Sequence, residues 1–235
     1  MELATLERLN ACRQARIPAV LVTDLGGGHA SVIAEGDQLH GALGEAVAAA
    51  FRSGHASVVE ADGGSYFLNV HRPPRGIVII GAVHISQVLA RMAALVGFDT
   101  RIIDPRMAFA TPERFAGIDL RSDWPVDVLK AKPLDAYTAL VALTHDPMID
   151  DFPIAEALRR GCFYVGALGS RKTHASRLER LKAEGFPDET LARINGPVGL
   201  NIGAVSPAEI AVAILAQIIE AMRLRDVASA KGDIR

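Results

Sequence analysis

The sequence predicts an α/β fold: a Rossmann-like, mostly parallel sheet with helices on both faces, preceded by a small α+β domain. Three observations carry this reading. From residue 76 onward, short unbroken apolar runs such as GIVII (76–80) and YTALVAL (137–143) alternate with helical segments. Parallel strands covered on both faces have this pattern. Half the residues are hydrophobic while only 5% are aromatic, so Ala, Val, Leu and Ile must fill the core, a palette suited to layered α/β packing. Between the two patterns lies His71-Arg72-Pro73-Pro74-Arg75-Gly76, whose paired prolines stiffen a connection and are poor ladder members. The expected organisation is a small α+β domain over 1–71, a linker over 72–76, a Rossmann-like domain over 77–227 and a frayed tail over 228–235.

In chain order, residues 3–15 carry Leu3, Leu6 and Leu9 at helical spacing. Residues 18–24 (PAVLVTD) are β-rich, Gly26-Gly27-Gly28 forces a turn, and 29–34 return as a strand. Residues 41–51 are Ala-rich and helical. The runs 56–61 and 66–70 flank Asp62-Gly63-Gly64, a hairpin signal. Beyond the linker come a strand over 76–80, a helix over 84–96, and strands over 100–104 and 137–143. A helix over 154–160, a strand over 162–167 and a helix over 171–184 follow. The last helix, 210–223, opens on Ser206-Pro207-Ala208-Glu209, a capping box with proline at the first helical position.

Composition excludes several classes. The formal net charge is −2 and no basic stretch interleaves with aromatics, so nucleic acid is not an expected partner. No apolar run reaches the roughly 20 residues that a membrane span needs. Residues 1–16 form a charged amphipathic stretch rather than a signal peptide. Cys12 and Cys162 belong to no CxxC pair and no zinc spacing, so no metal site is expected and both thiols read as packing. A reduced cytoplasmic protein is the expectation.

The candidate chemistry lies where strands end, because ligands of open α/β sheets bind beyond the carboxyl ends of the strands. The first strand runs into Gly81-Ala82-Val83-His84-Ile85-Ser86. A dinucleotide fingerprint would read G-x-G-x-x-G here. Only the first glycine is present: Val83 replaces the one that admits a pyrophosphate and Ser86 the one that admits close helix packing. The helix N-terminus can still attract an anion; a ligand-free βα turn is the plainer reading. Asp104 ends the next strand, 23 residues after Gly81, where an acid grips a ribose in Rossmann proteins. Arg106 beside it can pair with a phosphate or brace Asp104. Thr144-His145-Asp146 follows the YTALVAL strand, with Asp150 and Asp151 on the same loop; His145 can donate to a phosphate, transfer a proton, or simply pack. Gly169, Ser170 and Arg171 open another helix, with Ser170 as its cap. A cation in a first turn opposes the helix dipole, a conflict that an external anion would remove. The run 196–203, with Gly199 and Gly203, reads as an ordered loop closing over the sheet edge.

Six ordered motifs together resemble the XdhC/CoxI family: GAVHISQVLA, IIDPR followed by FATPERF, LTHDPMIDD, YVGALGSRKT, GPVGLNIGA and SPAEIAVAILAQII, spanning 77–219. The resemblance implies a Rossmann-like C-terminal half in an accessory protein for molybdenum hydroxylases such as xanthine dehydrogenase. It implies binding of the molybdenum–pterin cofactor, support of its sulfuration and delivery to the apo-enzyme. Implied partners are the apo molybdenum hydroxylase, a cysteine desulfurase and a second copy of the chain in a homodimer. The candidate cofactor contacts are Gly81, Ala82, Val83, His84, Asp104, Arg106, Thr144, His145, Asp146, Gly169, Ser170, Arg171, Gly199 and Gly203, with no catalytic residue among them. The sequence also departs from the family pattern. A Gly-Ser-x-Pro-Arg stretch is missing, and a Gly-Gly-Cys-x-Glu motif is reduced to Gly41-Ala42-Leu43-Gly44-Glu45, without its thiol. Two other functions remain open: an NAD(P)-dependent oxidoreductase, and a nucleotide-binding regulatory module.

Overall fold

The structure is a computed structural model that describes residues 2–231. Contacts separate a unit made of the residues up to Pro73 and the described residues from Leu224 on from a second unit, Pro74–Arg223.

The first unit has helix α1 (Leu3–Gln14), strands β1 (Ala19–Asp24) and β2 (Ala30–Ala34), helix α2 (Gly41–Ser53), and strands β3 (Ser57–Ala61) and β4 (Gly64–His71). The four strands form an antiparallel sheet in the order β2-β1-β4-β3. Side chains alternate across each strand. Val20, Val22 and Leu68 therefore pack with Val47 and Ala50 of α2, while Ala19 and Val32 pack with Leu9 and Cys12 of α1. Of the expected apolar stripe of α1, Leu9 is buried together with Cys12, while Leu3 is 72% exposed. The β3–β4 hairpin turns on Asp62 and Gly63, both at positive φ (50° and 82°), as a two-residue turn matched to strand twist requires.

The second unit carries β5 (Gly76–Ile80), α3 (His84–Leu95), β6 (Asp99–Ile103), β7 (Asp119–Arg121), α4 (Pro125–Ala131), β8 (Thr138–Ala142), α5 (Pro147–Arg159), β9 (Tyr164–Ala167), α6 (Arg171–Ala183), α7 (Asp188–Leu191), β10 (Ile194–Asn195) and, up to Arg223, α8 (Pro207–Lys231). All its strand pairings are parallel, in the order β10-β9-β8-β5-β6-β7. Numbered within the domain, this is the 3-2-1-4-5-6 order of a doubly wound Rossmann sheet. Successive residues of each strand face opposite layers. Ile77, Ile79, Ile102 and Val141 meet α3 and α8; Val78, Ile80, Ile103, Leu140 and Ala142 meet α5 and α6. The domain is α/β as expected, with helices on both faces.

Several element bounds depart from the sequence reading. The linker is shorter at its end, because Gly76 is already paired in β5 with Asp99 and Thr138. Helix α5 starts at Pro147, not at 154, so Asp150 and Asp151 lie on a helix rather than on a loop. Asp146 caps it and Pro147 sits at its first position, which starts a helix firmly; Pro153 is carried inside it despite its missing N–H. The short elements β7 and α4 lie where no element was expected. Residues 228–231, expected as tail, continue α8; 232–235 lie outside the described residues. Among the described residues no helix is long and apolar enough to cross a membrane.

Candidate functional site

Because every pairing in the sheet is parallel, the loops after β5, β6, β8, β9 and β10 all leave one edge. The helices α3, α5 and α6 start at that edge, each following its strand directly. Their N-termini bring the positive ends of three helix dipoles to it. Ser170 caps α6, accepting from the Thr173 amide at 3.2 Å, and Asp146 caps α5, accepting from the Met148 amide at 2.9 Å. Val83, the N-cap of α3, has no side-chain acceptor to offer. His84 is exposed and Val83 half-buried.

The loop after β5 is held from below. Gly81 has φ 114°, and a Cβ there would stand 3.0 Å from Cγ2 of Thr144, so both backbone conformation and space demand glycine. The Ala82 amide donates to Oδ2 of Asp104 at 2.7 Å. Asp104, expected to face a ribose or an amine, is instead fully buried. Its Oδ1 accepts from the Arg106 amide at 3.0 Å and from Nε at 2.9 Å, and its Oδ2 from Nη2 at 2.8 Å. Burial alone would raise its pKa. The Arg106 guanidinium and the Ala82 and Arg106 amides outweigh that and hold it below the usual carboxylate value. Arg106 is thereby committed to Asp104, and its guanidinium stacks 4.7 Å from the Phe109 ring centroid. Of the two roles the sequence offers Arg106, the geometry selects the brace.

The loop after β8 is organised by a residue that the sequence reading did not place in the site. Asp150, 1% exposed, accepts the Thr144 hydroxyl on Oδ1 at 2.7 Å and the His145 amide on Oδ2 at 3.1 Å. The Thr144 hydroxyl oxygen accepts from the Asp146 amide at 3.1 Å. His145 sits at φ 63°, a left-handed conformation uncommon outside glycine, with its side chain exposed. Burial pushes the Asp150 carboxyl up to about 6, against the opposing pull of the Thr144 hydrogen bond and the Arg177 charge.

Arg177 is the second residue that the sequence reading missed. It is 2% exposed and donates Nη2 to the Leu168 carbonyl at 3.1 Å, reaching back under the loop that opens α6. Its Nε and Nη1 are buried without a hydrogen-bond partner. Burial lowers its pKa, offset by the charges of Asp150 and Asp151. Arg171, by contrast, is exposed at the start of α6.

The structure thus brings together Gly81, Ala82, Val83, Asp104, Arg106, Thr144, His145 and Asp146 on adjacent strand ends, with Gly169, Ser170 and Arg171 on the next strand over. Gly199 is held elsewhere. Its amide donates to Oε1 of Gln217 at 2.8 Å, the same oxygen that accepts from the Tyr164 hydroxyl at 2.7 Å, which ties that loop to α8 and β9. Gly203 is exposed. Cys12 and Cys162 are both buried and form no disulfide. Among the described residues no three His, Cys, Asp or Glu side chains gather as a metal site.

Fold and site together define a Rossmann-type protein whose first βα turn keeps only the first fingerprint glycine. The chain belongs to the XdhC family: residues 77–218 match the model of the XdhC Rossmann domain. It is 32% identical over 155 residues to a probable xanthine dehydrogenase subunit of Bacillus subtilis, covering 66% of this chain and 45% of that protein. It is 30% identical over 148 residues to the molybdenum cofactor insertion chaperone PaoD of Escherichia coli, covering 63% and 40%. A further Escherichia coli relative, the uncharacterized protein YqeB, is 30% identical over 163 residues, 66% of this chain and 29% of that one. The chain therefore spans less than half the length of these relatives. The fold is similar to the crystal structure of a xanthine dehydrogenase from Bacillus halodurans, with TM-score 0.67 and 25% identity over 96% of this chain and 68% of that chain.

Proposed function

We propose that this protein binds the molybdenum–pterin cofactor as cargo at the carboxyl edge of its Rossmann sheet and hands it to an apo molybdenum hydroxylase of the xanthine dehydrogenase type. The observation that carries the reading is the convergence of three helix N-termini on one edge, with the first of them uncapped by any side chain, in a chain of this family. A pterin with a phosphate tail presents anionic oxygens, which free helix amides and dipoles attract. The residues present fit such a group. The uncapped amides at the start of α3, beyond Gly81, Ala82 and Val83, would take the phosphate. Arg171 beside Gly169 and Ser170 would add a cation, and His145 with Thr144 and Asp146 would form the wall between them. Asp104 and Arg106 brace this surface from beneath. Once installed in the client, the cofactor supplies the molybdenum centre of the hydroxylase; the present residues bind and present it. A cysteine desulfurase and a second copy of the chain are the further partners that this reading calls for.

Two features favour this over a nicotinamide-dependent oxidoreductase or a nucleotide-binding regulatory module. Val83 puts bulk where pyrophosphate contact is tightest, and Asp104 has both oxygens engaged inside the protein rather than open to a ribose. Calorimetric titration with molybdenum cofactor released from a molybdenum hydroxylase, and separately with NAD, tests the ranking. The cofactor should bind and NAD should bind far more weakly; tight NAD binding without cofactor binding would reverse the reading. In the same assay Arg171→Ala should weaken cofactor binding by about 1.5–3 kcal/mol, the range of a charge-assisted hydrogen bond, with little change in thermal midpoint.

A further inference from the structure

Asp150 and Arg177 are the most deeply buried charged side chains at this edge of the sheet apart from Asp104, 1% and 2% exposed, and the binding reading above uses neither. A buried ionisable group is costly unless it is paired and hydrogen-bonded, so its retention calls for a role. The Asp150 carboxylate is fully used. One oxygen takes the Thr144 hydroxyl and the other the His145 amide, while the Thr144 oxygen takes the Asp146 amide. Three consecutive residues of the loop after β8 are thus tied to a single carboxylate, and the middle one is forced to φ 63°. A non-glycine residue holds that conformation only where its surroundings over-determine it.

Arg177 supplies the opposing charge from α6. It lies within electrostatic reach of Asp150 but makes no ion pair with it among the described residues, and two of its three nitrogens carry no partner. A guanidinium placed this way neutralises the carboxylate at a distance while leaving both its oxygens free for the loop.

We infer that Asp150 is a positioning residue of the binding edge: its buried carboxylate, backed by Arg177, holds Thr144 and His145 in the one backbone arrangement that leaves the His145 side chain exposed at the site. The ligand arm of this inference rests on the cofactor-binding reading; the backbone arm does not. The charged groups around the carboxyl are Arg177 from α6, Arg106 from the loop after β6, and His145, Asp146 and Asp151 from its own loop and helix. Asp151 is paired with Arg180 of α6, and His174, one turn before Arg177, is the remaining titratable group that faces the guanidinium. Protonating Asp150 removes one of its two acceptor sites, so the loop loses a tie as pH falls through about 6.

The test has two readouts. In a His145→Gln background, which removes the neighbouring imidazole, the backbone amide shifts of Thr144 and Asp146 are followed by NMR from pH 5 to 7.5. They should titrate together with the Asp150 carboxyl carbon near pH 6 and be static when Asp150→Asn is added. With His145 intact, cofactor released from a molybdenum hydroxylase should bind at least about ten-fold more weakly to Asp150→Asn at pH 7, a factor of ten being 1.4 kcal/mol. Wild-type affinity should fall as the pH drops below 6, and Arg177→Met should move that midpoint upward. If Asp150→Asn does not fold, Thr144→Val keeps the carboxyl and removes one link; it should weaken binding several-fold while the His145 amide still follows the carboxyl. Amide shifts that ignore the Asp150 titration overturn the inference whatever the ligand does. Affinity unchanged within two-fold in folded Asp150→Asn overturns it as well. Absence of cofactor binding by the wild type refutes the binding reading alone and leaves the backbone titration to decide the positioning role.

Discussion

Asp104 and Asp150 stand beyond strand ends on the same edge of one sheet, both almost completely buried, and each lies near an arginine. Asp104 is clasped by Arg106 through two side-chain contacts, at 2.8 and 2.9 Å. Asp150 faces Arg177 without touching it and spends its oxygens on Thr144 and His145. The outcomes are opposite. The carboxyl of Asp104 is held below the ordinary value, and that of Asp150 is pushed up to about 6. Burial raises both; what differs is whether a guanidinium is close enough to repay the lost hydration. The first corner is a fixed brace. The second sits close to its own titration point and is free to respond to the solution.

The sharpest contrast is in stability at neutral pH. Asp104→Ala strips the Ala82 amide of its acceptor and leaves Arg106 without its counter-charge, so it should cost about 3–5 kcal/mol, the range for breaking a buried pair. Urea denaturation checks this, and a loss under 1 kcal/mol would show that Arg106 and Ala82 find other partners. Next in size is the pH dependence. The folded-state pKa of Asp150 is raised, so ionising it opposes folding. Its share of stability is intact below about pH 4, where unfolded aspartate is also protonated, and falls by up to about 3 kcal/mol as pH climbs to about 6. Asp104 works the other way: its depressed pKa contributes stability at neutral pH that is lost on acidification through the folded pKa. Unfolding free energies of wild type and Asp150→Asn between pH 4 and 7 isolate the Asp150 share, and parallel curves would erase the distinction between the two corners. The smallest effect belongs to Arg177→Met, about 1 kcal/mol or less. That arginine has two unpaired nitrogens to lose, and Asp150 can take up a proton when its counter-charge goes. Arg106→Met, which abandons an ionised Asp104, should cost clearly more, about 2–3 kcal/mol. Equal losses in the two variants would mean that the two corners are built alike.

Much of this was legible in the sequence. The runs at 76–80 and 139–143 are unbroken in apolar residues because parallel strands are covered on both faces. Gly81, Thr144 and Ser170 stand just past strand ends, where βα turns must lie. The Ser206–Glu209 capping box forms as the pattern predicts, with the Glu209 amide donating to the Ser206 hydroxyl oxygen at 3.2 Å and the Ser206 amide to the Glu209 carboxylate at 2.8 Å. Other parts gave too little signal. β7 is three residues long at the sheet edge, where no apolar run is required. Pro153 hides the true start of α5 behind an apparent helix breaker, which is why Asp150 read as a loop residue.

What the sequence determined by itself is therefore the layering, the strand ends and the family, since all three depend on patterns local in the chain. What only the tertiary structure decided is which charges turn inward. Asp104 stands at the strand end where a ribose-binding acid would, yet it closes on Arg106 two residues later. Arg177 looks like one more cation on a charged helix, yet it is the residue that α6 buries beneath its own first turn. Spacing along a helix says which residues share a face, but whether that face meets water or another loop depends on what the rest of the chain packs against it. The balance between hydration lost and pairing gained, which sets the charge state of Asp150, exists only once that packing is in place.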